Sequence, residues 1–485
     1  MSYLQLLQLA APEAMVVLAA LAVLTIGLVR PGLGGLPTLV AALGLVFSAG
    51  AVFWLPNDTT LFGGMLVITA LTSLFKLIVL GLAFFTVLLA RGDEASLRHH
   101  AEYLAMILLA TVGLLLLVGS EELLMIFIGL ELTGLSLYVL TGFNKTDPRS
   151  AEAGLKYFLF GSTASAFTLF GLSLVYGMAG TTALGAIAAK ISAASVPPLL
   201  AVGMVMTLIG FAFKIAAAPF HLWAPDTYQG APISSAAFIA SGSKVASFLV
   251  LGKILLIGFA SAQGSSAWHA MLPGWAPLLA VLAAFSIVIG NLAALAQKNV
   301  RRLLAYSAVA HAGYTLLGLV AGGREGFSAT LFYTTIYAVT LIGAFGVVGF
   351  VRRAAGGDDL AHFAGLRVRS PFLAGCMAIF MLSLAGLPPL AGFFGKFYLF
   401  AAAFRANANH GLLWLVALAL FGSLLSLYYY LMVLKVIFID EAEGHVINVP
   451  SGFLQRSTVA LMAGLVLLLG VLPGTLLARI LAALP

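Results

Sequence analysis

Glu131 stands near the middle of the run LLMIFIGLELTGLSLYVL with about nine residues on either side, which is roughly 14 Å of helix in each direction. A carboxylate cannot reach water over that distance. At such a depth an ionisable group costs at least about 2.5–3.5 kcal/mol on insertion scales, so a buried partner or a function is the default inference, with a purely structural ion pair as the alternative. Lys214 and Lys244 make the functional reading stronger, because both lie deep in consecutive apolar segments joined by the polar connector HLWAPDTYQG. Burial favours the neutral form of a lysine, and an adjacent carboxylate favours the charged form. Moving the partner therefore switches such a lysine between holding and releasing a proton, and a relay needs nothing more elaborate.

Other residues fit the same chemistry less directly. Lys156, in AEAGLKYFLFGS, begins an apolar segment and could modulate the Glu131–Lys214 region, or simply extend its head group to the membrane surface. Lys253 lies nine residues beyond Lys244, near the opposite helix face. Snorkelling is the favoured reading for Lys253 and for Lys76. His311, in LLAYSAVAHAGYTLLGL, could pass protons as a neutral imidazole, against the plainer option of a core histidine bonded to a hydroxyl. Lys396, in LAGLPPLAGFFGKFYLF, combines a buried cation with a broken helix. Its GK pair lacks the spacing and the preceding strand of a phosphate loop, and no catalytic triad, metal cluster or dinucleotide turn is convincing, so metal and cofactor-binding residues are expected to be none.

The elements that must position these groups follow from composition. The 485 residues are 62% hydrophobic and only 8% charged, with a mean hydropathy of +1.10; that is membrane composition. Apolar runs recur from Ala11 to Leu484 with no room for a separate soluble domain. The single cysteine, Cys376, excludes an internal disulfide and a four-cysteine iron–sulfur site. A net charge of +7 suits loops on one side of a membrane rather than nucleic acid. The first apolar run has no basic residue ahead of it, so its helix is expected to be retained rather than cleaved.

The expected fold is an all-α polytopic membrane protein with about 14 transmembrane helices: 11–29, 36–55, 69–90, 103–120, 122–142, 155–178, 197–220, 232–260, 273–296, 302–322, 327–351, 371–404, 410–438 and 457–482. Loops after odd-numbered spans hold most of the basic residues, among them Arg30, Arg91, Arg98, Lys145, Arg353 and Arg456. The other side holds Lys190, Arg324, Arg405 and Arg479. This bias puts both termini on the periplasmic side of a bacterial inner membrane.

Two long runs contain prolines, Pro219 and Pro225 in one and Pro388 and Pro389 in the other. Each proline deprives a carbonyl one turn back of its partner, namely those of Ile215, His221, Leu384 and Ala385, and such carbonyls must find protein or water. Spans 4–8 and 9–13 then read as two inverted five-helix repeats, each with a broken helix, pairing Glu131 with His311 and Lys214 with Lys396. The corresponding divisions are 1–102, 103–260, 261–440 and 441–485.

The constellation LELTGLSLYVL, AEAGLKYFLFGS, FKIAAAPFHLWAPDTYQGAP, SGSKVASF and GLPPLAGFFGKFYLF resembles the antiporter-like membrane subunits of respiratory complex I, the proton-pumping NADH:quinone oxidoreductase. The form PFHLWAPDTYQGAP is most similar to the N type among the three large subunits of that kind. The resemblance implies a proton path through Glu131, Lys214, Lys244 and Lys396, with His311 and Lys156 as further members. It also implies that NADH oxidation, FMN, iron–sulfur clusters and quinone belong to other subunits, with none bound by this chain, and that its neighbours are chain M and the small membrane chains on the K and J side. Two rival readings are a subunit of a multi-chain cation/proton antiporter and a passive scaffold whose charges only fix helix packing.

Overall fold

The computed structural model describes residues 3–29, 35–56, 58–93, 99–191, 197–406, 410–441 and 452–484. Arg30 and Arg98, counted above among the loop cations, lie outside the described residues. The helices are α1 (Tyr3–Leu9), α2 (Ala11–Val29), α3 (Leu36–Val52), α4 (Ala70–Ala90), α5 (His100–Val118), α6 (Leu123–Thr141), α7 (Pro148–Ala179), α8 (Leu184–Lys190), α9 (Pro198–Lys214), α10 (Trp223–Gly230), α11 (Ile233–Ala240) and α12 (Gly242–Lys253). They continue with α13 (Trp275–Leu295), α14 (Val300–Ala321), α15 (Gly323–Ala355), α16 (Leu366–Arg369), α17 (Pro371–Ala385), α18 (Ala391–Arg405), α19 (Leu413–Phe438), α20 (Phe453–Val471) and α21 (Gly474–Ala483). Eleven of the described helical stretches are long and apolar enough to cross a membrane, and α3, α9, α17 and α21 are shorter apolar helices. Each predicted span corresponds to one helix or to a consecutive pair. The protein is a multi-pass, all-α membrane protein.

Local chemistry explains where many of these helices start and stop. Thr69 and Thr72 form a reciprocal cap on α4, Asp147 accepts from Arg149 N ahead of Pro148 on α7, and Asn299 accepts from Arg301 N and Arg302 N on α14. Such caps satisfy amide groups that would otherwise lack partners at a helix start. Two antiparallel hairpins, Thr59–Leu61 with Leu66–Ile68 and Ser265–Ala267 with Ala270–Leu272, join helix ends and add short strands to the expected all-α pattern.

The chain forms two compact units, residues 1–214, 230–263 and 482–485 in the first, and 215–229 and 264–481 in the second. In the first, α5 packs on α2 and α6, α7 packs on α9, and α12 packs on α4, α5 and α9. Every residue of α12 is buried. In the second, α15 is buried from Gly326 to Val351 and is flanked by α14, α17, α18 and α20. A helix that buries all its faces belongs at a core, and α12 and α15 take that position in their units.

The proline breaks fall where the sequence puts them. Helix α9 stops at Lys214, and the backbone turns through Ala216 at φ 59°. The carbonyl of His221, which Pro225 leaves without its usual donor, accepts instead from Ala224 N at 2.9 Å. Helix α17 stops at Ala385, and Gly386 at φ 86° directs its N–H back to Leu382 O and Ser383 O. Two further breaks correct the expected spans. The segment 232–260 is interrupted at Ser241 (φ −115°, ψ −84°) and ends in a π-helical turn, Ile254–Gly258. The Ser241 hydroxyl donates to Ala237 O at 2.7 Å, the local competition with helix backbone that hydroxyl side chains introduce. The last span is two helices, α20 and α21, because Pro473 supplies no donor at their junction.

Candidate functional site

In the first unit, Glu131 on α6 and Lys214 at the end of α9 line one cavity of about 20 Å³, together with Leu130, Tyr138, Ala164, Ser165, Thr168, Gly210 and Phe213. That volume holds about one water molecule. Ser165 on α7 donates to Glu131 Oε1 at 2.5 Å, and the Ser165 and Tyr138 side chains both line the cavity. The Lys214 ammonium lies 5.8 Å from the centre of the Tyr138 ring. Carboxylate and ammonium thus share a cavity without a direct bond, and one water or a small side-chain movement changes how strongly they interact.

Two glycines keep this cavity open. A Cβ at position 161 would lie 2.1 Å from the Tyr138 hydroxyl, and one at 134 would lie 3.0 Å from Lys214 Nζ. Ser165, Tyr138 and Gly161 carry no signal in the sequence, since nothing in their spacing relates them to Glu131. Lys244 is 3% exposed, three residues past the Ser241 break on α12, which packs against α9. Lys156 is only half-buried. It pairs with the exposed Glu152 at 2.6 Å, one turn earlier on α7, and is not among the residues lining the Glu131 cavity.

In the second unit, Lys396 follows its helix break by six residues yet reaches back across it. Its Nζ donates to Ala385 O at 3.0 Å and to Ser423 Oγ at 2.9 Å. Ala385 is one of the carbonyls that the proline pair deprives of a helical partner, so the break and the buried cation satisfy each other. The same ammonium sits 5.2 Å from the Tyr314 ring centre, a favourable cation–π placement. From there hydroxyls and amides continue inward: Asn291 Nδ2 donates to Tyr314 Oη at 2.9 Å, and Tyr429 Oη donates to Asn291 Oδ1 at 3.1 Å.

His311 is 2% exposed and engages hydroxyls through both ring nitrogens, Nδ1 with Tyr333 at 2.5 Å and Nε2 with Tyr430 at 2.9 Å. Tyr430 also bonds Ser307 at 2.5 Å. A histidine between two hydroxyls can exchange a proton with either side without net displacement of the ring. The sequence signal for this network was available in the run Tyr428–Tyr430 inside an apolar span, but nothing linked it to His311.

Lys76 and Lys253 do not snorkel. Both are 1% exposed; Lys76 pairs with Glu13 at 2.7 Å and Lys253 with Glu121 at 3.2 Å. A carboxylate within reach of the buried ammonium removes the reason for a lysine to extend its head group into water.

Residues 120–426 match the family model described as NADH:quinone oxidoreductase/Mrp antiporter, TM. A relative from Acidobacterium capsulatum, NADH-quinone oxidoreductase subunit N 2, is 46% identical over 489 residues, covering 98% of each chain. The chain belongs to this family. Among solved structures, a chain of respiratory complex I from Thermus thermophilus with bound Aureothin is 34% identical with a TM-score of 0.80, over 96% of this chain and 98% of that one. A chain of the Mrp complex from Dietzia sp. DQ12-45-1b is alike in fold, with a TM-score of 0.84 at 21% identity over 98% of this chain and 97% of that one. The NADH:quinone oxidoreductase/Mrp antiporter match spans Glu131, Lys156, Lys214, Lys244, Lys253, His311 and Lys396, whereas Glu13 and Lys76 precede it.

Proposed function

We propose that this chain is the proton-translocating N-type membrane subunit of an NADH:quinone oxidoreductase, and that it carries no redox step itself. NADH oxidation, FMN, iron–sulfur clusters and quinone reduction belong to other subunits of the complex, and its membrane neighbours are an M-type antiporter-like chain and the small K- and J-side chains. Both termini lie on the periplasmic side of a bacterial inner membrane. The observation that carries this reading is the Glu131–Lys214 cavity, with room for about one water between opposite charges at membrane depth.

Redox work elsewhere in the complex closes or separates the Glu131–Lys214 pair. When the carboxylate is near, the Lys214 ammonium is stabilised; when it withdraws, burial drives the proton off. Lys244 receives that proton within the first unit. In the second unit, His311 and its tyrosines relay protons and Lys396 releases or takes them up, with Ala385 O and Ser423 accepting from its charged form.

Replacing Lys214 or Lys244 by methionine is expected to abolish most proton pumping per NADH oxidised in assembled complex; unchanged stoichiometry and rate would sink the relay assignment. A multi-chain cation/proton antiporter is the second reading, favoured by the fold likeness to the Mrp chain. Co-purification with NADH-oxidising, flavin-containing chains decides against it.

A further inference from the structure

The first unit holds a second group of buried charges that the Glu131–Lys214 pair does not use. Lys253, the last residue of α12, approaches Glu121 Oε1 at 3.2 Å and donates to Val118 O at 3.2 Å. Lys76, paired with Glu13, lies against Gly119, where a Cβ would be 3.1 Å from its Cε, and it acts electrostatically on Lys253. Both ammonium groups therefore gather at the C-terminal end of α5, where unpaired helix carbonyls carry partial negative charge.

The four charges are not equivalent. The Glu13 side chain is 8% exposed and the Glu121 side chain 30%. Glu122 is committed elsewhere, its two oxygens accepting from Leu124 N at 3.1 Å and Met125 N at 2.7 Å to cap α6. Glu121 alone among these carboxylates touches both a fully buried lysine and the chain surface. Directly after Lys253 the helix widens into the π-helical turn Ile254–Gly258, a feature that recurs at functional sites.

We propose that Lys253 and Glu121 form a second proton-exchange site, through which the first unit trades protons with the aqueous face beside the α5–α6 turn, while the buried Glu13–Lys76 ion pair stands next to it. The proposal rests on reading the chain as a proton-translocating subunit. In the exchange an N–H bond of Lys253 breaks as an O–H bond forms on Glu121, leaving a neutral amine and a neutral acid, and Glu121 then gives the proton to water. Lys244 and Lys253 share α12 at a separation of nine residues, roughly 13 Å along the axis. At an effective dielectric of about 20, a charge gained at one changes proton affinity at the other on the order of tenfold, so the site senses the state of the relay without touching it.

Lys253→Arg separates this role from a structural one, because arginine keeps the ion pair and the charge but does not release its proton. Expected in assembled complex reconstituted into vesicles is a several-fold loss of protons pumped per NADH in Lys253→Arg and Glu121→Gln, with partial recovery in Glu121→Asp. Normal pumping in Lys253→Arg and Glu121→Gln, while Lys244→Met fails to pump, overturns this site and leaves the translocation reading intact. If Lys244→Met pumps normally as well, both readings fall. Should Glu121→Gln not assemble, Lys253→Arg alone decides.

Discussion

Around Glu131 the working parts are small and specific. Ser165 gives the carboxylate a hydrogen bond of 2.5 Å, and such bonds to charged groups contribute about 1.5–3 kcal/mol. Ser165→Ala is therefore expected to slow pumping on the order of tenfold or more with assembly unchanged, measured as initial proton uptake against NADH oxidation. Gly161→Ala should do at least as much damage, since its Cβ would sit 2.1 Å from the Tyr138 hydroxyl and force that ring out of the cavity wall. Of these residues only Glu131 and Lys214 were legible in the sequence, because a charge inside an apolar run is conspicuous by itself. Ser165 lies 34 residues from its partner, and a serine in a helix attracts no notice until α6 and α7 are brought side by side.

The helix breaks are where sequence and structure agree best. A proline has no N–H wherever it stands, so the breaks before Pro219 and at Pro388–Pro389 were local properties, and the same reasoning accounts for Pro473 once its span is resolved into α20 and α21. Ser241 was not legible, since a serine interrupts a helix only when its surroundings let it. At the second break Gly386 adopts φ 86° and a Cβ there would approach Lys396 Cδ to 2.9 Å. Gly386→Ala is expected to destabilise the chain by about 1–3 kcal/mol and to move Lys396 off Ala385 O, seen as a lower midpoint of thermal unfolding in detergent and slower pumping. Gly375→Ala, inside α17 with nothing within 4 Å, serves as the control and should lower neither, since alanine is the better helix former.

Across the whole molecule, the bias of basic residues towards one set of loops is what the expected orientation rests on. The chain has one cysteine, Cys376, and it is 6% exposed, so cysteines introduced at exposed sites can be followed with little background. A membrane-impermeant thiol reagent added outside spheroplasts is expected to label Lys190→Cys and to leave Arg353→Cys unlabelled until the membrane is opened; the reverse pattern would invert the orientation. Sequence alone determined that the chain is polytopic and helical, where the breaks before Pro219 and at Pro388–Pro389 lie, and that Glu131, Lys214, Lys244 and Lys396 sit too deep to reach water. Those are one-dimensional properties, set by run length, by proline chemistry and by the cost of a charge in hydrocarbon. Only the tertiary structure decided the partners: Tyr430 for His311 across 119 residues, the Ala385 carbonyl and Ser423 for Lys396, and Glu13 and Glu121 for two lysines expected to snorkel. A side chain's partner depends on which helices lie against its own, and no periodicity within a single helix carries that information.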